Sequence, residues 1–212
     1  APLPRPGFHG GASAGLAHLL KPDAGQRGDR VALIRAQAAA LAYLQSARTD
    51  VLVQAFAPGD EFGLFYVRHP GERTGSLFSV TRKAPVDVVG DGERTLEHLI
   101  LAHDRAVCLA RLHLDKHADR LADVPAAGEV IRLGELGTHS LGCVFLDGRD
   151  VASGALVETL DRICADFEGG FFFGRFDVRA RSVDELRAGR GFQIIELNGV
   201  TSEATHIYDP KN

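Results

Sequence analysis

The sequence predicts an α+β chain in which helices pack on antiparallel sheets. Three observations carry this. The apolar runs 61–69 and 75–83 flank the turn Pro70-Gly71-Glu72-Arg73, a hairpin signature. Segments 31–47, 91–103 and 153–169 place apolar residues at helical spacing. Two strand-like runs, 170–180 and 191–199, close the chain and are joined by the polar link 182–189.

In chain order, the first dozen residues are rich in Pro and Gly and read as a loop. Residues 15–23, GLAHLLKPD, form a short apolar run ended by Pro22, hence a strand. Residues 24–30 are a glycine turn. The alanine- and leucine-rich stretch 31–47 reads as a helix. Residues 50–57 form an apolar strand closed by Pro58-Gly59, followed by the hairpin. The segment 91–103 opens with acidic residues and sets Leu96, Leu99 and Ile100 on one helical face, and 105–124 continues as helix. Residues 127–136 read as a strand. Leu156, Leu160 and Ile163 define the helix at 153–169. No internal repeat or low-complexity linker interrupts this order.

The chain has 212 residues, 45% hydrophobic and 25% charged, with a net charge of −4. That length supports one large domain or two small lobes. Nothing in the charge points to a basic nucleic-acid or membrane surface, and the apolar runs are too short to span a bilayer. Three scattered cysteines, Cys108, Cys143 and Cys164, fit neither a disulfide framework nor a zinc knuckle, and read as idle thiols in a reducing cytosol. Of the nine histidines only His113 and His117 stand four apart, and no HExxH motif is present.

The chemistry concentrates in the two closing strands. Asp177 lies between Phe176 and Val178, and Glu196 follows Ile194 and Ile195, so each carboxylate sits in an apolar run where a charge is costly unless paired. Asn198, two residues past Glu196, points to the same face. Two carboxylates and an amide oxygen are hard ligands suited to magnesium, which takes further ligands from phosphates. Arg175 and Arg179 share the Asp177 face by period-2 counting and suit phosphate or carboxylate oxygens. A salt-bridge ladder between neighbouring strands accounts for the same pattern, and a two-carboxylate acid/base pair is a further reading. Upstream, Lys21 precedes the turn bearing Gly25 and Gly28, where backbone N–H groups can approach phosphates. Gln54 ends the apolar part of a strand beside Phe56 and Ala57, and Glu61 follows across Pro58-Gly59. Such a strand can offer its backbone to an adenine edge, with a carboxylate for ribose hydroxyls.

In this order, KPDAGQRG, VLVQAFAPGDEFG, RFDVR and ELNG resemble the ATP-grasp superfamily, in the carboxylate–amine ligase group that includes D-alanine–D-alanine ligases. The resemblance runs from about Lys21 to His206. It implies an ATP-grasp fold of two α+β lobes enclosing ATP, a small lobe at 1–57 and a large lobe at 58–212. It implies that Lys21 contacts the phosphates under a flap that includes Gln26 and Gly28. Gln54 would meet the adenine amino edge, the backbone of Phe56 and Ala57 its hinge side, and Glu61 the ribose. Lys83 and Arg68 would reach the phosphates. Asp177, Glu196 and Asn198 would hold two magnesium ions (manganese being a substitute), with Glu196 bridging, and Arg175 would stabilise an oxyanion.

The implied reaction turns a carboxylate into an acyl phosphate that an amine, or in some relatives a thiol, then attacks. No protein nucleophile is needed. Partners would be small-molecule carboxylate and amine substrates, without nucleic acid or membrane, in the cytoplasm; a homodimer stays open. Arg179, His139 of the run 134–143, Glu203 and His206 are candidate substrate contacts. Glu203 and His206 stand where D-alanine ligases carry a small-residue loop, which argues against D-alanine. Relatives carry a domain ahead of the lysine, whereas only about twenty residues precede Lys21 here and the chain starts at Ala1. The expectation is therefore an excised piece, inactive alone, with a poorly ordered start. A nucleotide-binding domain without turnover, and a phosphotransferase on the same fold, are the other readings.

Overall fold

The computed structural model describes residues 17–25, 28–134, 136–138, 140 and 142–208. It is α+β, and every strand pairing among the described residues is antiparallel. The chain divides into two compact units, one ending at Phe56 and the other beginning at Ala57.

In the first unit, β1 (His18–Pro22) is the middle strand of a three-stranded sheet, flanked by β2 (Ala32–Ile34) and β3 (Val51–Ala55). Helix α1 spans Gln37–Ser46. The sequence predicts helix from residue 31, but the structure uses Ala32–Ile34 as a strand paired with Leu20, Leu19 and His18. The apolar, partly β-branched opening of that run fits a sheet. Ala36, at φ −137° and ψ 143°, is still extended, so the helix starts only at Gln37.

The second unit is built on a five-stranded sheet ordered β10-β9-β4-β5-β8. Its strands are β4 (Asp60–Val67), β5 (Ser76–Ala84), β8 (Val144–Asp147), β9 (Phe173–Ala180) and β10 (Phe192–Asn198). Alternation along each strand makes the two faces chemically different. Phe62, Leu64, Tyr66, Val80, Phe176, Val178 and Ala180 point to one side and are buried. There they pack with Leu156, Leu160 and Cys164 of α4 (Gly154–Ala165) and Leu186 of α5 (Val183–Arg187). A truncation such as Leu160→Ala in this layer costs on the order of 2–5 kcal/mol. Tyr66 is tied down further: its hydroxyl donates to Asp161 at 2.5 Å, and the Gly75 N–H donates to the same oxygen at 2.8 Å.

A second cluster joins α2 (Leu96–Ala102) to the two-stranded sheet of β6 (Asp87–Val89) and β7 (Val130–Arg132), around Val88, Leu96, Ile100, Ile131 and Leu133. The expected helix at 105–124 is a 3-10 turn at Val107–Leu109 followed by α3 (Ala110–Lys116). Helix starts follow their caps. Thr95, Ser153 and Ser182 each accept a hydrogen bond from a backbone N–H three residues on. Ser182 with Glu185 has the Ser-x-x-Glu capping pattern, and it places α5 inside the stretch predicted as a polar link. β6 and β8 are further elements that the sequence reading leaves out, both too short for periodicity to reveal. Among the described residues, no helix is long and apolar enough to cross a membrane.

Candidate functional site

The second face of the five-stranded sheet is polar, and its side chains fall into cross-strand rows. In the first row Glu61 on β4 faces Lys83 on β5, which faces Phe145 on β8; on its other side Glu61 faces Arg179 on β9. In the second row Gly63 lies between Thr81 and Asp177, with Asp147 beyond Thr81 and Glu196 beyond Asp177. In the third row Phe65 lies between Ser79 and Arg175, and Asn198 follows on β10.

The rows are joined by buried charge pairs. Lys83 Nζ lies 2.8 Å from Glu61 Oε1 and 3.0 Å from Asp177 Oδ2. Arg175 Nε donates to Asp177 Oδ1 at 2.8 Å, and Arg179 Nε to Glu61 Oε2 at 3.3 Å. Asp177 is 3% exposed, Glu61 and Lys83 8% each. Burial acts to lower the Lys83 pKa, but the Asp177 and Glu61 charges outweigh it and leave the ammonium above its ordinary value. Asp177 thus has countercharges of its own, Lys83 and Arg175, and the charge in its apolar run is paired within the protein.

Glu196 owes its place to a β-bulge. Ile194 pairs with Val178 and Glu196 with Asp177, so Ile195 has no opposite number. Were Ile195 paired in a regular ladder, Glu196 would align with Phe176 and point toward the helices. The bulge turns it to the polar face next to Asp177. Asn198 follows on the same face and its Nδ2 donates to Asp177 Oδ2 at 3.4 Å.

Gly63 explains how the large side chains fit. A Cβ there would sit 2.9 Å from Arg175 Cδ and 3.3 Å from Asp177 Oδ1, so Arg175 and Asp177 lie over bare backbone. Gly137 approaches from above in the same way: a Cβ there would be 2.3 Å from the Glu61 carboxylate. Cys143 lines the cleft beside Glu61, Lys83 and Arg179. Burial, then the Glu61 charge, pushes its thiol up to about 12, so it stays protonated and is no nucleophile at neutral pH.

The segment after β10 crosses this face. Arg175 Nη1 donates to the Glu203 carbonyl at 3.0 Å. Within the 3-10 turn Thr205–Tyr208, Thr205 Oγ1 and His206 Nδ1 each lie 3.4 Å from Thr81 Oγ1. Tyr208 hydrogen-bonds the Glu203 side chain.

Of the residues singled out in the sequence, Glu61, Lys83, Arg175, Asp177, Arg179, Glu196 and Asn198 share this one face, with Glu203 and His206 at its rim. Arg68 is not brought there. It follows β4 on the helix side, at the strand end away from Glu61, and its guanidinium lies 4.5 Å from the Phe172 ring centre. The Ala57 carbonyl, expected on a base edge, accepts from Arg179 Nη1 at 3.0 Å. In the first unit Gln54 faces Leu19 while Lys21 faces Leu52, so Lys21 and Gln54 lie on the same side of the three-stranded sheet. The Phe56 N–H donates to the Ala17 carbonyl at 2.9 Å, and Gly28 takes φ 71° in its turn, a conformation suited to glycine. Gln26 and His139 lie outside the described residues.

Sequence reasoning passes over Gly63, Gly137 and the bulge at Ile195. The consecutive Ile194-Ile195 was the available signal for the bulge, since it breaks strict alternation.

Among the described residues, no group of three or more His, Cys, Asp or Glu side chains is placed to hold a metal ion alone. Asp177, Glu196 and Asn198 nonetheless form an all-oxygen donor set on adjacent register positions. That set fits magnesium held by one or two carboxylates with phosphate oxygens completing the shell.

No protein-family model matches the chain, and no curated protein matches its sequence. Among solved structures the chain is similar to a bifunctional glutathione synthetase from Pasteurella multocida, with 17% identity and a TM-score of 0.48. The match covers 92% of this chain and 28% of that one, so the chain spans little more than a quarter of that neighbour's length.

Proposed function

We propose that the chain is the ATP-grasp portion of an ATP- and magnesium-dependent ligase that joins a carboxylate to an amine, with a small lobe at 1–57 and a large lobe at 58–212. The observation that carries this reading is the polar face itself: Lys83 of β5, Arg175 and Asp177 of β9, and Glu196 and Asn198 of β10 stand on one side of the sheet, with Lys83 in contact with Asp177 across β4.

In this reading Lys83 draws charge off the transferring phosphoryl group. Asp177, Glu196 and Asn198 hold magnesium, which supplies electrostatic stabilisation of the phosphates when bound. Arg175 keeps its guanidinium close to the carbon under attack and stabilises the oxyanion that forms there. Lys21, Gln26, Gly28, Gln54 and the backbone of Phe56 are the nucleotide contacts of the small lobe. Arg179, His139, Glu203 and His206 are substrate contacts. Glu61 must exchange its bond to Lys83 or Arg179 before it can accept ribose hydroxyls, and Ala57 its bond to Arg179.

That last requirement favours a second reading, a nucleotide-binding domain without turnover, because the charges are already paired within the protein. ADP release from full-length protein separates the two. Release that depends on both a carboxylate and an amine supports the ligase, and binding of ATP without release supports the second. Release with one substrate and a stable phosphorylated product marks a phosphotransferase. Asp177→Asn and Glu196→Gln should each reduce turnover at least about 100-fold with the fold retained. Unchanged rates in both variants refute the site.

A further inference from the structure

We propose that the polar face continues into a subsite for an apolar, ring-bearing acid, so that the carboxylate to be activated belongs to a molecule of the aromatic amino acid class. The proposal rests on the ligase reading. Three rings stand at the end of the face away from Lys83. Phe65 lies 5.1 Å from Phe173, edge to face, and 5.6 Å from Phe78, tilted. A bulge puts Phe78 there: Tyr66 pairs with Leu77 and Phe65 with Ser79, so Phe78 has no opposite number and joins the polar side. Phe65 is buried, while Phe78 is 70% and Phe173 40% exposed. Fixed ring faces open to solvent favour an apolar ligand that brings a ring of its own.

Two polar groups border these rings. Arg175 is directly across the strands from Phe65. Three of its five N–H donors are engaged, with Asp177 and the Glu203 carbonyl, which leaves guanidinium donors for a carboxylate. On the other side of Phe65, Ser79 is 6% exposed and its Oγ has no hydrogen-bond partner among the described residues. A buried hydroxyl of this kind calls for a partner from outside. Opposite residues have Cβ atoms about 4.5–5.5 Å apart, a separation that a short alkyl link between carboxylate and ring bridges. A carboxylate at Arg175 also stands one row from Asp177 and Glu196, where the phosphoryl group would arrive.

The test is binding of L-phenylalanine to the full chain without nucleotide, followed by titration calorimetry, with L-alanine and L-glutamate for comparison. L-phenylalanine is expected to bind at least about tenfold more tightly than either. The double variant Phe78→Ser, Phe173→Ser, at exposed positions, is expected to lose about tenfold for L-phenylalanine while its Mg-ATP affinity changes by less than about twofold. Equal affinity for L-alanine, or a double variant that binds L-phenylalanine as before, overturns the proposal. Loss of Mg-ATP affinity alone also overturns it, since the rings would then hold the nucleobase. Ring-dependent binding without ADP release leaves the subsite standing and removes the ligase reading. ADP release indifferent to the acid's side chain does the reverse.

Discussion

Lys83 Nζ lies 3.0 Å from Asp177 Oδ2, with both side chains almost wholly out of solvent. The same ammonium reaches Glu61 at 2.8 Å, so one cation joins two carboxylates from different strands. Lys83→Met should leave that pair short of a countercharge and cost on the order of 3 kcal/mol. Urea denaturation of the variant measures it.

The pH dependence of that contribution has a definite sign. The folded pKa of Lys83 is raised above its unfolded value, so its stabilisation is complete below about 10.4 and is lost as pH climbs through the folded pKa. Wild type and Lys83→Met should therefore differ in unfolding free energy by a constant amount from pH 6 to about 9, and converge in strong alkali. A gap that already narrows near neutrality would contradict the pairing.

Deleting Ile195 should remove the bulge and leave Ile194 opposite Val178 and Glu196 opposite Asp177 in regular register. The expected result is Mg-ATP binding that is retained, in contrast to its loss in Glu196→Gln, because Glu196 keeps its place on the polar face. Thermal melts and nucleotide titrations on the two variants separate the effects.

Gly63→Ala adds a methyl group 2.9 Å from Arg175 Cδ. Overpacking of this kind costs about 1–3 kcal/mol, and it pushes the guanidinium off Asp177. A lower melting temperature together with a raised KM for the acid is expected. Gly154→Ala, where nothing stands within 4 Å and φ is likewise outside the left-handed region, is the control that should not lower the melting temperature.

Thiol labelling checks the burial of the cleft. Cys143 is buried and pushed up to about 12, and Cys164 is buried with its thiol raised to about 11 by burial, while Cys108 is exposed. Iodoacetamide on folded protein at pH 8 should alkylate Cys108 alone, read by peptide mass spectrometry. Cys143→Ala should retain ADP release.

The hairpin of β4 and β5 was legible from its two apolar runs flanking Pro70-Gly71-Glu72-Arg73, and the closing strands from the alternation in Arg175–Ala180 and Glu196–Asn198. That alternation also puts Asp177, Arg175 and Arg179 on one face, and Glu196 with Asn198. The contact of Lys83 with Asp177 was not legible, because Lys83 arrives from a strand nearly a hundred residues earlier and no local pattern records that pairing. The strand inside 31–47 was hidden by alanine-rich sequence next to it. Ser182-x-x-Glu185 did carry a helix start, within a stretch whose polarity suggested a link. Arg68 shows the limit of motif order: it stands in the right place along the chain, but its parity on β4 sends it to the helices.

A residue with no side chain roofs the buried charge cluster of Glu61, Lys83 and Asp177. Because the Gly137 α-carbon rests on the Glu61 carboxylate, any larger residue would have to lift its loop or displace Glu61 from Lys83. The spacing of the ion pairs beneath is therefore governed from a backbone position, and a mutation there would read as an electrostatic defect although it changes no charge.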